Sequence, residues 1–196
     1  MAVIKQIHSY SPFYRKIKRG DELIKINGKP VKDFLDYMFF ESELKDENGD
    51  PVAKTATLTV LRNGKEHSFT EKVEEGEFFL EFENDLMDAQ KACHNKCIFC
   101  FIDQMPKNMR ETLYYKDDDF RLSLIYGNYI TMTNLSDDDI DRIIRLRISP
   151  LNLSVHTTNP ELRVKMMANP RAAKINENLQ KIFAAGLNMR CQIVLC

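Results

Sequence analysis

The sequence predicts an α+β region at the N-terminus, followed by an α/β region with parallel strands. Short alternating segments and an Asn63-Gly64 pair, the strongest short-range hairpin signal, occupy the first part of the chain. After a charged break at residues 74–77, strand-like segments alternate with helical ones, which is typical of βα units. We therefore expect one domain over residues 1–75 and a second over residues 76–196.

The first region is predicted to hold short strands, one helix and a hairpin. Strands are expected over residues 3–8, 21–27, 55–61 and 67–73, separated by turns rich in Gly, Pro and Asn. Asp33 is a good N-cap for a helix that runs to about Leu44. The apolar face of this helix would carry Phe34, Tyr37, Met38 and Phe40.

The second region is expected to open with a buried strand at residues 78–82. Further strands are predicted over residues 122–132, 151–156 and 188–196. Ser136 with Asp139 makes a capping-box-like helix start, and Asn159 before Pro160 makes a second one. The chain stops on its last strand with no helix to cover it, which predicts a truncated barrel or sheet.

A helical stripe precedes the last strand and ends at Gly186, a typical residue after a helix end. The apolar members of the stripe are Ala172, Ile175, Leu179, Ile182 and Phe183.

Composition and charge exclude several classes of function. The net charge of −1 gives no global basic field for nucleic acid, and the basic run at residues 15–19 is interpreted as a solvated turn. No segment approaches the ~20 apolar residues that span a bilayer, and the N-terminus lacks a signal-peptide pattern. We therefore expect a cytoplasmic protein that acts on neither nucleic acid nor membrane, with its five cysteines reduced.

The cysteine spacing is the main chemical signal in the sequence. Cys93, Cys97 and Cys100 form a Cys-x3-Cys-x2-Cys motif, and one loop with this spacing can hold three irons of a cubane cluster. Three cysteines leave one iron without a protein ligand, and an open coordination position is what substrate chemistry requires. The aromatic Phe99 would lie beside such a cluster.

Two other interpretations of the cysteines stay open at this point. The three residues lie at positions i, i+4 and i+7, so they could form one buried helix face. They could also hold zinc together with His94, Cys191 or Cys196. Cys191 and Cys196 are otherwise expected to be small buried residues of a strand. The acidic run at residues 117–119 is expected to be a solvated loop.

The segment Cys93-His-Asn-Lys-Cys97-Ile-Phe-Cys100 resembles the signature of the radical S-adenosylmethionine superfamily, Cys-x3-Cys-x-aromatic-Cys. Four longer segments resemble a bacterial family of uncharacterised function with an N-terminal PDZ-like domain, a radical S-adenosylmethionine core and a C-terminal domain called DUF512. The family is considerably longer than this chain. The segments are Cys97-Ile-Phe-Cys-Phe-Ile-Asp-Gln104, Tyr115-Lys-Asp-Asp-Asp-Phe-Arg-Leu-Ser123, Tyr126-Gly-Asn-Tyr-Ile-Thr-Met-Thr-Asn134 and Ser149-Pro-Leu-Asn-Leu-Ser-Val-His156.

The resemblance implies the N-terminal part of a radical S-adenosylmethionine (βα) barrel, with a [4Fe-4S] cluster and S-adenosylmethionine as cofactors. Cys93, Cys97 and Cys100 would hold the cluster. An electron from an external donor would then release a 5′-deoxyadenosyl radical, which acts on a substrate that the motif does not specify. The superfamily's Gly-Gly-Glu stretch is replaced here by residues 132–134, which lack a carboxylate. The residues implied as cofactor contacts are Phe99, Thr133, Asn134, Ser154 and His156.

The N-terminal region resembles a bacterial PDZ domain in the segment Gly20-Asp21-Glu22-Leu23-Ile24-Lys25-Ile26-Asn27-Gly28 and in the later hairpin. Such domains bind an extended peptide beside a strand and a helix, so a peptide or protein partner is expected. Residues 11–14 lie where the loop for a peptide C-terminus would be expected. The alternatives are a peptide-binding module with a zinc site, and an iron-sulfur electron-transfer protein without radical chemistry.

Overall fold

The chain folds as two units, Met1–Ala89 and Gln90–Cys196, in a computed structural model that describes all 196 residues. The first unit holds two small antiparallel sheets and one α-helix. The second holds four α-helices and a two-stranded parallel sheet. The predicted change from antiparallel to parallel pairing along the chain is therefore confirmed. No helix combines the length and the apolar character that are needed to cross a membrane.

The first unit is built on a four-stranded antiparallel sheet with the order β3-β2-β4-β5. A separate antiparallel pair joins β1 to β6. The structure agrees with the four strands that were predicted in this region. The elements are β1 Ile4–Ile7, β2 Glu22–Ile26, β3 Lys29–Pro30, helix α1 Phe34–Ser42, β4 Lys54–Arg62, β5 Lys65–Val73 and β6 Leu80–Phe82.

The hairpin between β4 and β5 forms as the sequence predicts. Asn63 and Gly64 both have positive φ angles, 50° and 74°. A tight two-residue turn with this backbone matches the twist of the two flanking strands. The strands then pair in continuous register from Arg62 with Lys65 to Lys54 with Val73.

Helix α1 begins at its predicted cap. The Asp33 carboxylate accepts a hydrogen bond from the Leu35 backbone N–H at 3.0 Å, which satisfies one of the free donors of the first turn. The predicted apolar face is confirmed for Phe34, Tyr37 and Phe40, which are buried. It is wrong for Met38, whose side chain is half exposed, because the adjacent Tyr37 takes the inward direction.

The strand predicted at residues 78–82 forms as β6 over Leu80–Phe82. It was expected to open the second region, but it pairs antiparallel with β1 of the first unit. Phe78 is fully buried, and the centroid of its ring lies 5.7 Å from that of the Tyr37 ring of α1. The domain division between residues 75 and 76 stays a prediction. The division into compact units falls between Ala89 and Gln90.

The second unit contains the predicted parallel strands. β7 and β8 pair in register from Leu151 with Met189 to Ser154 with Gln192. Ile130 adds a single parallel bridge to Leu153 on the other side of β7. These segments form a small sheet, and a closed (βα) barrel is absent. The elements are α2 Phe120–Tyr126, α3 Asp137–Arg145, β7 Leu151–Ser154, α4 Pro160–Met167, α5 Ile175–Ala184 and β8 Met189–Gln192.

The strand predicted over residues 122–132 is wrong for its first half, which forms helix α2. Asp119 accepts a hydrogen bond from the Arg121 backbone N–H at the start of the helix. Gly127, with φ at 73°, ends it. A short apolar run fits a buried helix as well as a strand. Here the Asp119 cap and the Gly127 helix end favour the helix. Ile130 alone retains strand-like pairing.

The predicted helix starts in this unit are confirmed. Ser136 and Asp139 form a complete capping box at α3, and the Asn159 side chain caps α4 with Pro160 in its first turn. Both arrangements satisfy N–H groups that lack partners inside the helix. The predicted apolar stripe is wrong for Phe183, which is 76% exposed on α5. Ile182, the adjacent residue, takes the buried position on that helix.

A partly buried ion pair joins the residue before β2 to the end of β4. Arg62 donates to both carboxylate oxygens of Asp21, from Nε at 2.7 Å and from Nη2 at 2.6 Å. The Lys18 backbone N–H adds a third hydrogen bond to Asp21 at 2.8 Å. Burial by itself raises the pKa of Asp21, but the hydrogen bonds from Arg62 and Lys18 outweigh it, and the net pKa is lowered.

We predict that Asp21→Asn lowers the free energy of unfolding by about 1.5–3 kcal/mol at pH 7, the range for hydrogen bonds to charged groups. Because folding lowers the pKa of Asp21, the wild-type advantage is present above pH ~4 and is lost as the pH falls through the folded pKa. Urea denaturation at pH 7 and at pH 3 measures this difference.

The exposed Asp50 gives the matched control, and Asp50→Asn should leave the free energy of unfolding within about 0.5 kcal/mol of wild type. An Asp21→Asn effect of the same size at pH 7 and pH 3 would contradict the assignment of this ion pair as a stabilising charge interaction.

Candidate functional site

The cysteine motif lies in an irregular loop near the start of the second unit. No helix covers residues 93–100, so the interpretation of the three cysteines as one buried helix face is wrong. The Cys93 N–H donates to the Lys116 carbonyl at 2.8 Å, and the Cys100 N–H donates to the Cys97 carbonyl at 3.0 Å. All three cysteines are free thiols of intermediate exposure.

The end of helix α4 holds the middle of this loop in place. The N–H groups of Lys96 and Ile98 donate to the carbonyls of Met167 and Met166, at 3.0 Å and 2.9 Å. The side chains of Cys97 and Phe99 also pack against a buried apolar cluster that contains both methionines. The loop is therefore fixed by backbone pairing and by apolar packing together.

All three thiols line one cavity of about 230 Å³ at the carboxyl ends of β7 and β8. Ligands commonly bind at this edge of a parallel α/β sheet, because loops converge there. Other side chains that line the cavity include Phe99, Tyr129, Thr131, Ser154, His156 and Gln192.

The three thiols lie near enough to affect each other's ionisation. Burial raises the pKa of Cys97 to about 11, with further contributions from Cys93 and Cys100. No group of three or more His, Cys, Asp or Glu side chains is already arranged to hold a metal ion. Three sulfur donors on one cavity wall nevertheless fit an iron-sulfur cluster in donor type and in placement, since such clusters are held by thiolates.

The additional ligands considered for zinc lie outside this cavity. His94, Cys191 and Cys196 are exposed and do not line it. The structure therefore does not assemble a four-ligand zinc set around the three thiols. The expectation that Cys191 and Cys196 are buried strand residues is wrong, because both are exposed. Cys191 lies on β8, which is paired on one side only, and Cys196 lies beyond the end of that strand.

Phe99 and His156, both expected as cofactor contacts, meet in the cavity wall. Their rings are tilted against each other with a centroid distance of 4.4 Å. The Val194 N–H donates to Nδ1 of His156 at 3.3 Å, which assigns the proton of the neutral ring to Nε2. Burial, followed by the charge of Arg163, lowers the pKa of His156 to about 4. His156 is therefore a neutral donor at pH 7.

Ser154 lies in the same cavity, but Thr133 and Asn134 lie elsewhere. Both border a second cavity of about 310 Å³ beside Arg171 and Lys174. Thr133 is 2% exposed, and its hydroxyl donates to Asn95 Oδ1 at 3.1 Å. Of the five expected cofactor contacts, the structure thus brings Phe99, Ser154 and His156 to the cysteines. Thr131 reaches the cavity from the segment that was expected to contribute Thr133.

The acidic run at residues 117–119 is not the solvated loop that was expected. Asp118 and Asp119 are fully buried, and Asp119 forms an ion pair with Arg121 at 2.6 Å. Asp118 accepts a hydrogen bond from the Thr131 hydroxyl at 2.6 Å. Burial raises the pKa of Asp118, and its hydrogen bonds from Thr131 and Thr133 oppose this only in part. Asp117 alone reaches the cysteine cavity.

Sequence reasoning missed Arg163, whose guanidinium donates four hydrogen bonds to backbone carbonyls around the site. Its side chain is 1% exposed and donates only to backbone carbonyls. No pattern marks this role, because a single Arg in a polar helix start normally predicts a solvated residue. The acceptors are the carbonyls of Val155, Ala172, Thr131 and Ser154, at 2.8–3.0 Å.

Comparison with family models gives one match, to a model described as a radical SAM-like domain, over residues 72–196. This match covers more than half of the chain and includes all the residues of the cysteine cavity. A search of curated proteins finds no match.

We predict that His156 stays neutral down to about pH 4. A histidine of an unfolded chain protonates near pH 6.5, so this histidine makes folding less favourable as the pH falls from about 6.5 towards 4. An NMR titration of the His156 ring, assigned by comparison with His156→Gln, measures the midpoint directly.

The same variant supplies the control for stability. Between pH 6.5 and 4, wild type should lose stability more steeply than His156→Gln, since only wild type has this buried imidazole. A ring titration midpoint near 6.5 in the folded protein would contradict the buried, neutral assignment.

Proposed function

Because this chain belongs to the radical SAM-like domain family, we propose that it is an enzyme that cleaves S-adenosylmethionine reductively and directs the resulting radical to a substrate. One observation carries the proposal. Cys93, Cys97 and Cys100 line a single cavity at the carboxyl ends of parallel strands, inside the region that the family match covers. Three thiols, with no fourth cysteine in the cavity, suit a cluster that keeps one iron open for a substrate.

Cys93, Cys97 and Cys100 would hold three irons of a [4Fe-4S] cluster. When bound, the cluster supplies the electron that breaks a carbon–sulfur bond of S-adenosylmethionine, which gives methionine and a 5′-deoxyadenosyl radical. The electron comes from an external donor. The chain's own residues bind and orient the cofactor and exclude water.

The cavity wall offers S-adenosylmethionine two kinds of contact. Phe99 presents an aromatic ring that suits the adenine, and Ser154 presents a hydroxyl. His156 can donate from Nε2, because its Nδ1 is occupied by the Val194 N–H. The low pKa of His156 keeps this ring uncharged, so it adds no positive charge beside the sulfonium ion.

The finer family assignment is part of the same proposal. The first unit would be PDZ-like, in a family that also has a DUF512 domain and works in the cytoplasm. An antiparallel sheet with one capped helix supports the PDZ-like assignment of the first unit, as do the turn at Asn27-Gly28 and the hairpin at Asn63-Gly64.

A peptide-binding role for the first unit is the second candidate function. The nine-residue strand β5 is at the end of the sheet order, so its outer edge has free backbone groups that an extended peptide can pair with. Fluorescence anisotropy with an array of labelled peptides tests this role, and the absence of any saturable binding would exclude it.

We predict that anaerobic reconstitution of the chain with iron and sulfide gives a brown protein with about four irons per chain. Replacing Cys93, Cys97 or Cys100 by Ala should remove most of this iron, since each would supply one ligand. Cys191→Ala is the matched control and should retain the iron, because Cys191 lies outside the cavity. Iron analysis and visible absorption measure the result.

Two outcomes would contradict the proposal in different ways. A colourless protein after reconstitution, or equal iron in Cys97→Ala and wild type, would exclude the cluster. An intact cluster that yields no 5′-deoxyadenosine with S-adenosylmethionine and a reductant would favour simple electron transfer.

A further inference from the structure

Asn95, between the first two cysteines, is buried and its side chain contacts the sulfur of Cys93. The residue is 3% exposed. Its carboxamide nitrogen Nδ2 lies 3.4 Å from Cys93 Sγ and 2.9 Å from the Thr131 hydroxyl. The first distance is within the range of a hydrogen bond to sulfur, so Asn95 donates to this sulfur and to Thr131.

The orientation of the Asn95 amide follows from a chain of hydrogen bonds that begins at the backbone. The Arg171 N–H donates to Asn169 Oδ1 at 3.0 Å, so the Asn169 Nδ2 group must point the other way. Asn169 Nδ2 then donates to Asn95 Oδ1 at 2.7 Å. If the Asn95 amide were flipped, its NH2 group would face the Asn169 NH2 group, and neither could accept a hydrogen bond from the other. The nitrogen of Asn95 is therefore the atom that faces Cys93.

A second donor reinforces this orientation. The Thr133 hydroxyl donates to Asn95 Oδ1 at 3.1 Å, so the oxygen has two donors and the nitrogen has two acceptors. All the polar atoms of the buried amide are thus satisfied. A fully satisfied buried network holds its members rigidly in one arrangement.

The surroundings of Cys100 differ from those of Cys93. The carboxylate beside Cys100 belongs to Asp103, which is paired with Lys116 at 2.5 Å. An ionised carboxylate only accepts hydrogen bonds, so it cannot donate one to sulfur. The side-chain amide contact therefore distinguishes Cys93 from Cys100.

We propose that Asn95 is a positioning residue that holds Cys93 as a cluster ligand and raises the reduction potential of the cluster; this rests on the proposed function above. Reduction adds one electron, and the added negative charge is shared by the sulfurs. An N–H group directed at sulfur interacts more favourably with the more negative state, so it stabilises the reduced form. Groups that orient metal ligands typically change metal affinity by about 10–100-fold when they are removed.

The experiment compares the reconstituted wild-type chain with Asn95→Ala by redox titration monitored by electron paramagnetic resonance. At a fixed applied potential we expect the ratio of reduced to oxidised cluster to fall roughly tenfold in Asn95→Ala, which corresponds to a midpoint about 59 mV more negative for one electron. Iron affinity should fall by about 10–100-fold. Thermal melting of each apoprotein reports on folding.

Asn169→Ser is the matched control. It removes the donor to Asn95 Oδ1, and serine can still cap the short 3-10 helix that Asn169 starts. The Thr131 hydroxyl donates to Asp118, so its oxygen still accepts from Asn95 Nδ2 and keeps this nitrogen directed at the Cys93 sulfur. The melting temperature should therefore fall while the midpoint potential stays at the wild-type value. Asn95→Leu, which is close to asparagine in shape and has no hydrogen-bond donor, replaces Asn95→Ala if the latter does not fold, and the same shift of the midpoint is expected.

The outcomes separate this inference from the function on which it rests. If wild type takes up no cluster, the proposed function is wrong and the role of Asn95 is wrong with it. If wild type holds a cluster and the Asn95 variants melt earlier with an unchanged midpoint potential, Asn95 is only structural and this inference alone is overturned.

Discussion

The buried guanidinium of Arg163 is the interaction on which the candidate site depends. Its N–H groups donate to carbonyls of Thr131, Ser154, Val155 and Ala172. These carbonyls belong to the end of β7, to the segment that bridges to it, and to the short helix before α5. A planar group with five fixed donors can make all four of these hydrogen bonds, whereas a lysine ammonium has only three donors.

A buried cation is costly unless its surroundings replace the lost water. Here the carbonyls do so, although burial still lowers the pKa of Arg163 to about 10, with the charges of Asp118 and Cys97 acting in the opposite direction. Asp118 in turn binds Thr131, and Thr131 accepts from Asn95, which contacts Cys93. One polar layer therefore supports the strand ends and a proposed ligand together. Loss of any buried member would leave its direct partners with one hydrogen bond fewer.

The opposite side of the cysteine loop is apolar. Cys97 and Phe99 pack against Met166, Met167 and Ala172. Polar support thus acts mainly on Cys93 and apolar packing mainly on Cys97. These two kinds of contact hold a loop without regular secondary structure in one conformation. A site that binds a cofactor in one geometry requires such support.

Local features of the fold were predictable because their causes are local. The Asn63-Gly64 turn, the Asp33 cap and the Ser136–Asp139 capping box each depend on residues within a few positions of each other. The prediction failed at α2, where a short apolar run fits either helix or strand. It also failed for the strand at residues 78–82, which was expected to open the second region, because β6 pairs with a segment more than seventy residues earlier.

The sequence by itself determined the sulfur donors, because the spacing of Cys93, Cys97 and Cys100 is fixed by the covalent chain. It also indicated the parallel strands beside which those donors lie. Only the tertiary structure decided which polar side chains reach them. Thr131 lines the cysteine cavity while Thr133 is buried behind it, and Asn95 is held against sulfur by residues far along the chain. These contacts depend on packing between segments that are far apart in the sequence. The spacing and periodicity of residues do not determine which hydrogen-bond partner a buried side chain finds.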